Sequence, residues 1–307
     1  MKQTSFLILA LLLAVGCDNS TTAPEQEMQQ METVGTITAG LTHDGLDRTY
    51  ILYVPESYTG DTPVPVVFNF HGYTSNATEQ MGYGDFRAIA DTAGFIVVHP
   101  QGTLLDGSTH WNVGGWTLAS TVDDVGFTAA LLDKLIEGYN IDESRIYSTG
   151  MSNGGYMSFL LACQLSNRIT AVASVTGSMT PETYSACNPQ HPTPILQIHG
   201  TNDSVVPYSG AVWTRSIEDV LDYWVTHNSC DGSMKTVADL ANTSTADGST
   251  VDYITYPCSV DNAAVEHYQV AGGFHTWPGA EGPGTNQDID ASVEIWRFFS
   301  RYALPTN

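Results

Sequence analysis

The stretch Arg145-Ile146-Tyr147-Ser148-Thr149-Gly150-Met151-Ser152-Asn153-Gly154-Gly155-Tyr156-Met157-Ser158 constrains this chain more than any other. A β-favouring run ends at Gly150, and helical spacing of Tyr156, Phe159, Leu160 and Cys163 starts soon after. Ser152 therefore falls in a sharp turn between a strand and a helix, inside a Gly-x-Ser-x-Gly pattern. Such a turn strains the backbone at the serine and crowds its neighbours. Glycine at 150 and 154 removes the Cβ atoms that would collide. The pattern by itself also occurs in ordinary loops. A reactive serine needs a base, an acid to orient that base, and a place for negative charge. Other parts of the chain must supply them.

The first 16 residues read as a secretory signal, with Lys2 as the positive start and an apolar run from Phe6 to Val15. That run is shorter than the roughly 20 residues a membrane-spanning helix needs. Leu13-Ala14-Val15-Gly16-Cys17 resembles the lipobox of bacterial lipoproteins, although Ala14 stands where Leu is preferred. The resemblance implies that Cys17 becomes the lipidated first residue of an exported chain, anchored to a membrane through that lipid alone. Residues 17–32 are rich in Ser, Thr, Gln and Glu and form an expected flexible tether. Residues 33–307 suit one large α/β domain. The expected location is extracellular or periplasmic. The net charge of -23, from 33 acidic against 10 basic residues, excludes nucleic acid as a partner.

Residues 33–39 and 49–54 read as strands around a Thr42-His43-Asp44-Gly45 turn. Further strands are expected at 64–70, 95–98, 169–175, 194–198, 251–256 and 265–270. Helices are expected at 78–93, after the Asp123 cap, after Ser152, at 212–227 and at 290–302. The span from Gly102 to Ser120 reads as a long loop carrying Trp111 and Trp116. Strands alternating with helices imply a mostly parallel central sheet with helices on both faces.

In such sheets reactive groups gather past the carboxyl ends of the strands. His71-Gly72-Tyr73, Ser152, Asp203 and His275 all follow such ends. His275 lies in a Gly-rich loop between the last strand and the last helix, which makes it the candidate base. Asp203 is the candidate acid that fixes the base's tautomer. Asp123 and Asp124 compete, but a helix start there accounts for at least one of them by capping. The chain order Ser152, Asp203, His275 is that of α/β-hydrolases. The backbone N–H groups of Asn153 and Tyr73 are the candidate oxyanion donors. Trp111 and Trp277 are candidate substrate contacts, and with Trp116 and Tyr73 they form either an aromatic rim or ordinary loop packing.

No phosphate loop, dinucleotide fingerprint, calcium loop or Cys/His zinc spacing is present, so neither cofactor nor metal is expected. The oligomeric state is not encoded in any motif. With Cys17 lipidated, Cys163, Cys187, Cys230 and Cys258 allow three pairings, and proximity favours Cys163–Cys187 and Cys230–Cys258.

Taken together, Phe70-His71-Gly72, His99-Pro100-Gln101-Gly102-Thr103, Trp111-Asn112, Asp123-Asp124-Val125-Gly126-Phe127, the Ser152 stretch, His199-Gly200-Thr201-Asn202-Asp203 and Gly273-Phe274-His275-Thr276-Trp277-Pro278-Gly279 resemble one family. It is that of polyhydroxybutyrate-depolymerase-like esterases, related to the feruloyl and acetylxylan esterases of carbohydrate esterase family 1. The resemblance runs over about residues 45–302. It implies Ser152 as nucleophile, His275 as base and Asp203 as acid. His99, where the family often has Tyr, and Phe274, where a third Gly is common, depart from the pattern. The expectation is a secreted serine carboxylesterase acting on feruloyl, hydroxycinnamoyl or related aryl esters, with a small or oligomeric substrate. The alternative is a polyhydroxybutyrate or other polyester depolymerase. A non-catalytic surface-binding lipoprotein on the same fold is the distant third.

Overall fold

The computed structural model describes residues 33–304. The signal segment, the Cys17 lipid site and the tether expected before residue 33 lie outside them. Twelve strands are present: β1 (Gly35–His43), β2 (Leu46–Val54), β3 (Val64–Phe70), β4 (Ile96–Pro100), β5 (Thr103–Leu105), β6 (Ser108–His110), β7 (Ile141–Met151), β8 (Ala171–Val175), β9 (Ile195–Gly200), β10 (Thr236–Asp239), β11 (Thr250–Tyr256) and β12 (Val265–Ala271). The α-helices are α1 (Ala77–Tyr83), α2 (Arg87–Ala93), α3 (Asp124–Gly138), α4 (Asn153–Gln164), α5 (Pro181–Ala186), α6 (Ile217–His227) and α7 (Ala291–Phe299). Among the described residues no helix is long and apolar enough to cross a membrane.

Ten strands form one sheet in the order β1-β2-β4-β3-β7-β8-β9-β12-β11-β10. The centre, from β4 to β12, is parallel. The two edges are antiparallel, which ends the sheet without further crossover helices. The strand period of two divides the core. Val66, Phe68, Ile96 and Val98 pack on one face with Phe127, Leu131, Phe159 and Trp224 of α3, α4 and α6. Val67, Val97, Ala171 and Leu196 pack on the other with Ala90, Ile295 and Phe298 of α2 and α7. This is the α/β-hydrolase architecture expected from the sequence. The chain steps from β3 outward to β4 and then back across to β7. The sheet therefore changes direction between β3 and β7, where ligands enter such folds.

Three expectations are corrected. Residues 78–93 are not one helix. The chain breaks at Gly84, whose carbonyl accepts from buried Asn69 Nδ2 at 2.8 Å and whose missing side chain leaves room for Trp277. The helix expected from 212 begins at Ile217, because Ser216 caps it, its Oγ accepting from the Asp219 N–H at 3.0 Å. The long loop before Ser120 contains the β5–β6 hairpin. Both disulfides form as expected, joining Cys163 to Cys187 and Cys230 to Cys258.

A buried ion pair locks the loop to the sheet. Arg48 of β2 donates to Asp124 Oδ1 at 2.7 Å and stacks 3.9 Å over the Phe127 ring. Asp124 Oδ2 accepts the Asn112 N–H at 2.8 Å. Burial pushes the Asp124 pKa up, against the opposing pull of Arg48. Asp124 is thus a structural anchor, and Asp123 caps α3 through the Gly126 N–H. Removing one partner leaves a buried charge uncompensated. We expect Asp124→Ala to cost about 3–5 kcal/mol in urea unfolding. A loss below about 1 kcal/mol would mean that the pair contributes little.

Candidate active site

The turn at Ser152 is built by close approach. Met151 ends β7, Asn153 opens α4, and Ser152 between them adopts φ 53° and ψ -121°. Such a conformation costs a non-glycine residue on the order of 1–3 kcal/mol and persists only if its surroundings enforce it. They do. The Ser152 N–H donates to the Val175 carbonyl at 2.8 Å, and the Ser152 carbonyl accepts from Tyr156 at 3.0 Å. A Cβ on Gly154 would lie 2.0 Å from the Phe70 carbonyl oxygen, and one on Gly150 would lie 2.5 Å from it. Only glycine lets α4 and β7 approach the end of β3 this closely, and that contact sets Ser152 beside the loop after β3.

Asp203 and His275 come together from β9 and β12. His275 Nδ1 lies 2.7 Å from Asp203 Oδ2. The Val205 and Val206 N–H groups donate to Asp203 Oδ1, each at 2.8 Å. The Asp203 side chain is fully buried, while that of His275 remains 18% exposed. Burial alone would raise the Asp203 pKa. Hydrogen bonds from His199 and His275 outweigh it and hold the carboxyl well below the usual carboxylate range. His199 is fixed in turn. Its Nδ1 accepts from Gln197 Nε2 at 3.0 Å, which leaves the Nε2 proton for the Val206 carbonyl at 2.9 Å and for Asp203 Oδ2 at 3.4 Å. Because Asp203 carries charge, it holds the His275 proton on Nδ1 and leaves Nε2 free to accept another.

Ser152 and His275 line one cavity of about 440 Å³ with Tyr73, Ser75, Glu79, Gln80 and Tyr83. A second cavity of about 270 Å³ meets the first at Tyr73 and Ser152 and is walled by Trp116, Trp213, Val205 and Val206. The Tyr73 and Asn153 N–H groups donate to no protein acceptor among the described residues. They flank Ser152 from the end of β3 and the start of α4.

His71 shapes that loop. Its Nε2 accepts the Gly102 N–H at 2.9 Å, so its proton sits on Nδ1, 2.7 Å from the Gly72 carbonyl. The loop is pinned from outside by the Thr74 N–H, which donates to Thr109 of the hairpin at 2.9 Å.

Two expected substrate contacts are corrected. Trp111 is fully buried, donating through Nε1 to the His71 carbonyl at 2.9 Å. Its backbone pairs both ways with the Asn153 side chain, at 2.7 and 3.1 Å. Trp277 is also buried, wedged against Tyr83 and Phe86 and donating to Ser292 Oγ at 3.2 Å. Neither lines the two cavities described above. Trp116 does, packed edge-on against Trp213 at 5.1 Å. Trp213, Val205, Val206 and Glu79 were not legible as site residues. Trp213 lay inside an expected helix, and no local motif marks the other three.

A serine on a strained strand-to-helix turn, with a buried Asp–His pair at neighbouring strand ends, defines a serine-hydrolase type of site on an α/β-hydrolase fold. The acetyl xylan esterase family model matches residues 19–179, and the phospholipase/carboxylesterase model matches residues 120–244. The chain belongs to the α/β-hydrolase esterase family that includes the acetyl xylan and feruloyl esterases. It is 27% identical to feruloyl esterase D of Neurospora crassa, across 98% of both chains. It is 26% identical to a bifunctional acetylxylan esterase/xylanase of Neocallimastix patriciarum, matching 85% of this chain but spanning only 34% of that protein. Among solved structures, acetyl xylan esterase from Aspergillus awamori superposes with a TM-score of 0.61 at 17% identity, over 86% of this chain and 99% of that one.

Burial keeps three histidines neutral. It lowers the pKa of His71 to about 4 and those of His99 and His267 to about 3. Each folded value lies below the ordinary 6.5, so the unfolded chain takes up protons first as pH falls. Their contribution is complete above about pH 6.5 and is lost progressively toward pH 4 and below. We expect the urea midpoint to decline from about pH 6.5 downward, before carboxylates titrate. Among the described residues neither ring nitrogen of His99 has a hydrogen-bond partner, so His99→Phe should flatten part of that slope. A midpoint constant from pH 7 to 5 would contradict it.

Proposed function

We propose that the chain is a secreted serine carboxylesterase that works through an acyl-enzyme and takes hydroxycinnamoyl or related aryl esters. The observation that carries this reading is the Asp203–His275 pair opening into the same cavity as strained Ser152. Ser152 Oγ attacks the ester carbonyl carbon as its proton passes to His275 Nε2. The carbonyl oxygen takes the negative charge and is met by the Tyr73 and Asn153 N–H groups. The tetrahedral intermediate then expels the alcohol, which receives the proton from His275. Water repeats the sequence, giving up its proton to His275 as it attacks the acyl carbon, and Ser152 recovers its proton as the acid leaves. No cofactor is required.

Supporting the aryl acyl group are the Trp116, Trp213, Val205 and Val206 walls of the smaller cavity. The kinship to feruloyl esterase D supports the same choice. The polyester reading has one observation in its favour: Tyr73, Val205 and Phe274 are large apolar residues left exposed at or directly beside the cavity walls. Export is supported by the two disulfides, which persist in oxidising compartments. Lipid attachment at Cys17 completes the proposal.

We expect Ser152→Ala to lower kcat on p-nitrophenyl acetate by at least about 10⁴-fold with unchanged urea unfolding. Near-native turnover would refute the mechanism. Methyl ferulate compared with hydroxybutyrate oligomers decides the acyl class. Turnover confined to the oligomers would replace the aryl reading by the polyester one.

A further inference from the structure

The two cavities at Ser152 are not equivalent, and their difference gives the reaction a direction. His275 lines the larger cavity and not the smaller. The group that protonates the leaving alkoxide must lie on the leaving side, so the alcohol departs through the larger cavity. The acyl group then occupies the smaller, apolar one. On the alcohol side the wall carries a carboxylate, Glu79. Glu79 is set in place before any substrate arrives. Its backbone N–H donates to Asn76 Oδ1 at 2.9 Å, and its Oε2 accepts from Ser75 Oγ at 2.7 Å. One carboxylate oxygen is thus used internally, and Oε1 is left to accept. Among the described residues neither Lys nor Arg lines that cavity, and its one imidazole is that of His275.

We infer that Glu79, held by Ser75, determines which alcohol this site accepts. The carboxylate takes hydroxyl donors from a neutral, hydroxyl-rich alcohol such as a monosaccharide. It disfavours alcohols that carry a carboxylate, since like charges held at close range repel. The inference rests on the serine-esterase reading above, but not on the identity of the acyl group.

The test measures kcat/KM for glucose 6-ferulate over methyl ferulate, and for glucose 6-acetate over methyl acetate, in the wild type and in Glu79→Ala. The sugar-to-methyl ratio should fall about tenfold, the scale of a hydrogen bond to a charged acceptor. Ser75→Ala should lower it less, in the same direction. Glu79→Gln should raise turnover of the feruloyl or acetyl ester of glucuronate relative to that of glucose, a charge effect that a purely structural role would not produce. An unchanged ratio in whichever acyl series is hydrolysed overturns the inference. So does an equal fall for sugar and methyl esters. Wild-type turnover of acetyl but not feruloyl esters would instead defeat the aryl reading and leave the Glu79 result standing.

Discussion

The contact between the Phe70 carbonyl and the glycines at 150 and 154 governs the rest of the site. It is a steric constraint first. With a Cβ at 154 only 2.0 Å from that oxygen, α4 could not start where it does. Because it does start there, Ser152 is held at positive φ, at the point where the sheet changes direction. The same approach sets the N–H of Asn153 beside the loop that carries Tyr73. Trp111 reinforces the join, its indole bonded to the His71 carbonyl and its backbone to the Asn153 side chain. One close packing event therefore fixes both the proposed nucleophile and the proposed oxyanion donors.

Electrostatics complete what packing begins. Asp203 is buried yet ionised, because two backbone N–H groups and two imidazoles satisfy it. His71, by contrast, is kept neutral by burial and by a backbone N–H that needs its Nε2 lone pair. The two residues show opposite uses of a dry environment. A charge is tolerated where donors converge, and excluded where a single tautomer must shape a loop.

The loops after the strands divide the mouth into two unlike chambers. One holds His275 and Glu79, and the other is walled by Trp116 and Trp213. The aromatic chamber depends on the failure of residues 212–216 to join α6, which lets Trp213 turn back onto Trp116. The proposed substrate selection thus falls to irregular segments braced on a regular sheet, as is usual for α/β enzymes.

The sequence by itself determined the α/β layering, the strand-turn-helix at Ser152 and the order Ser152, Asp203, His275. Strand alternation, helical spacing and the Gly-x-Ser-x-Gly pattern are local signals written in neighbouring residues. The short loops of the two cysteine pairs were legible for the same reason. Tertiary structure alone decided which aromatic residues meet the cavity. Trp111 and Trp277 looked available on their Gly-rich loops, but each fills a gap that only packed elements create. Val205, Val206, Trp213 and Glu79 come from segments distant in the chain, and only the closed sheet edge brings them to one serine. Periodicity fixes which face of an element is buried. It carries no information on which loops will meet, because that depends on the summed packing of the whole domain.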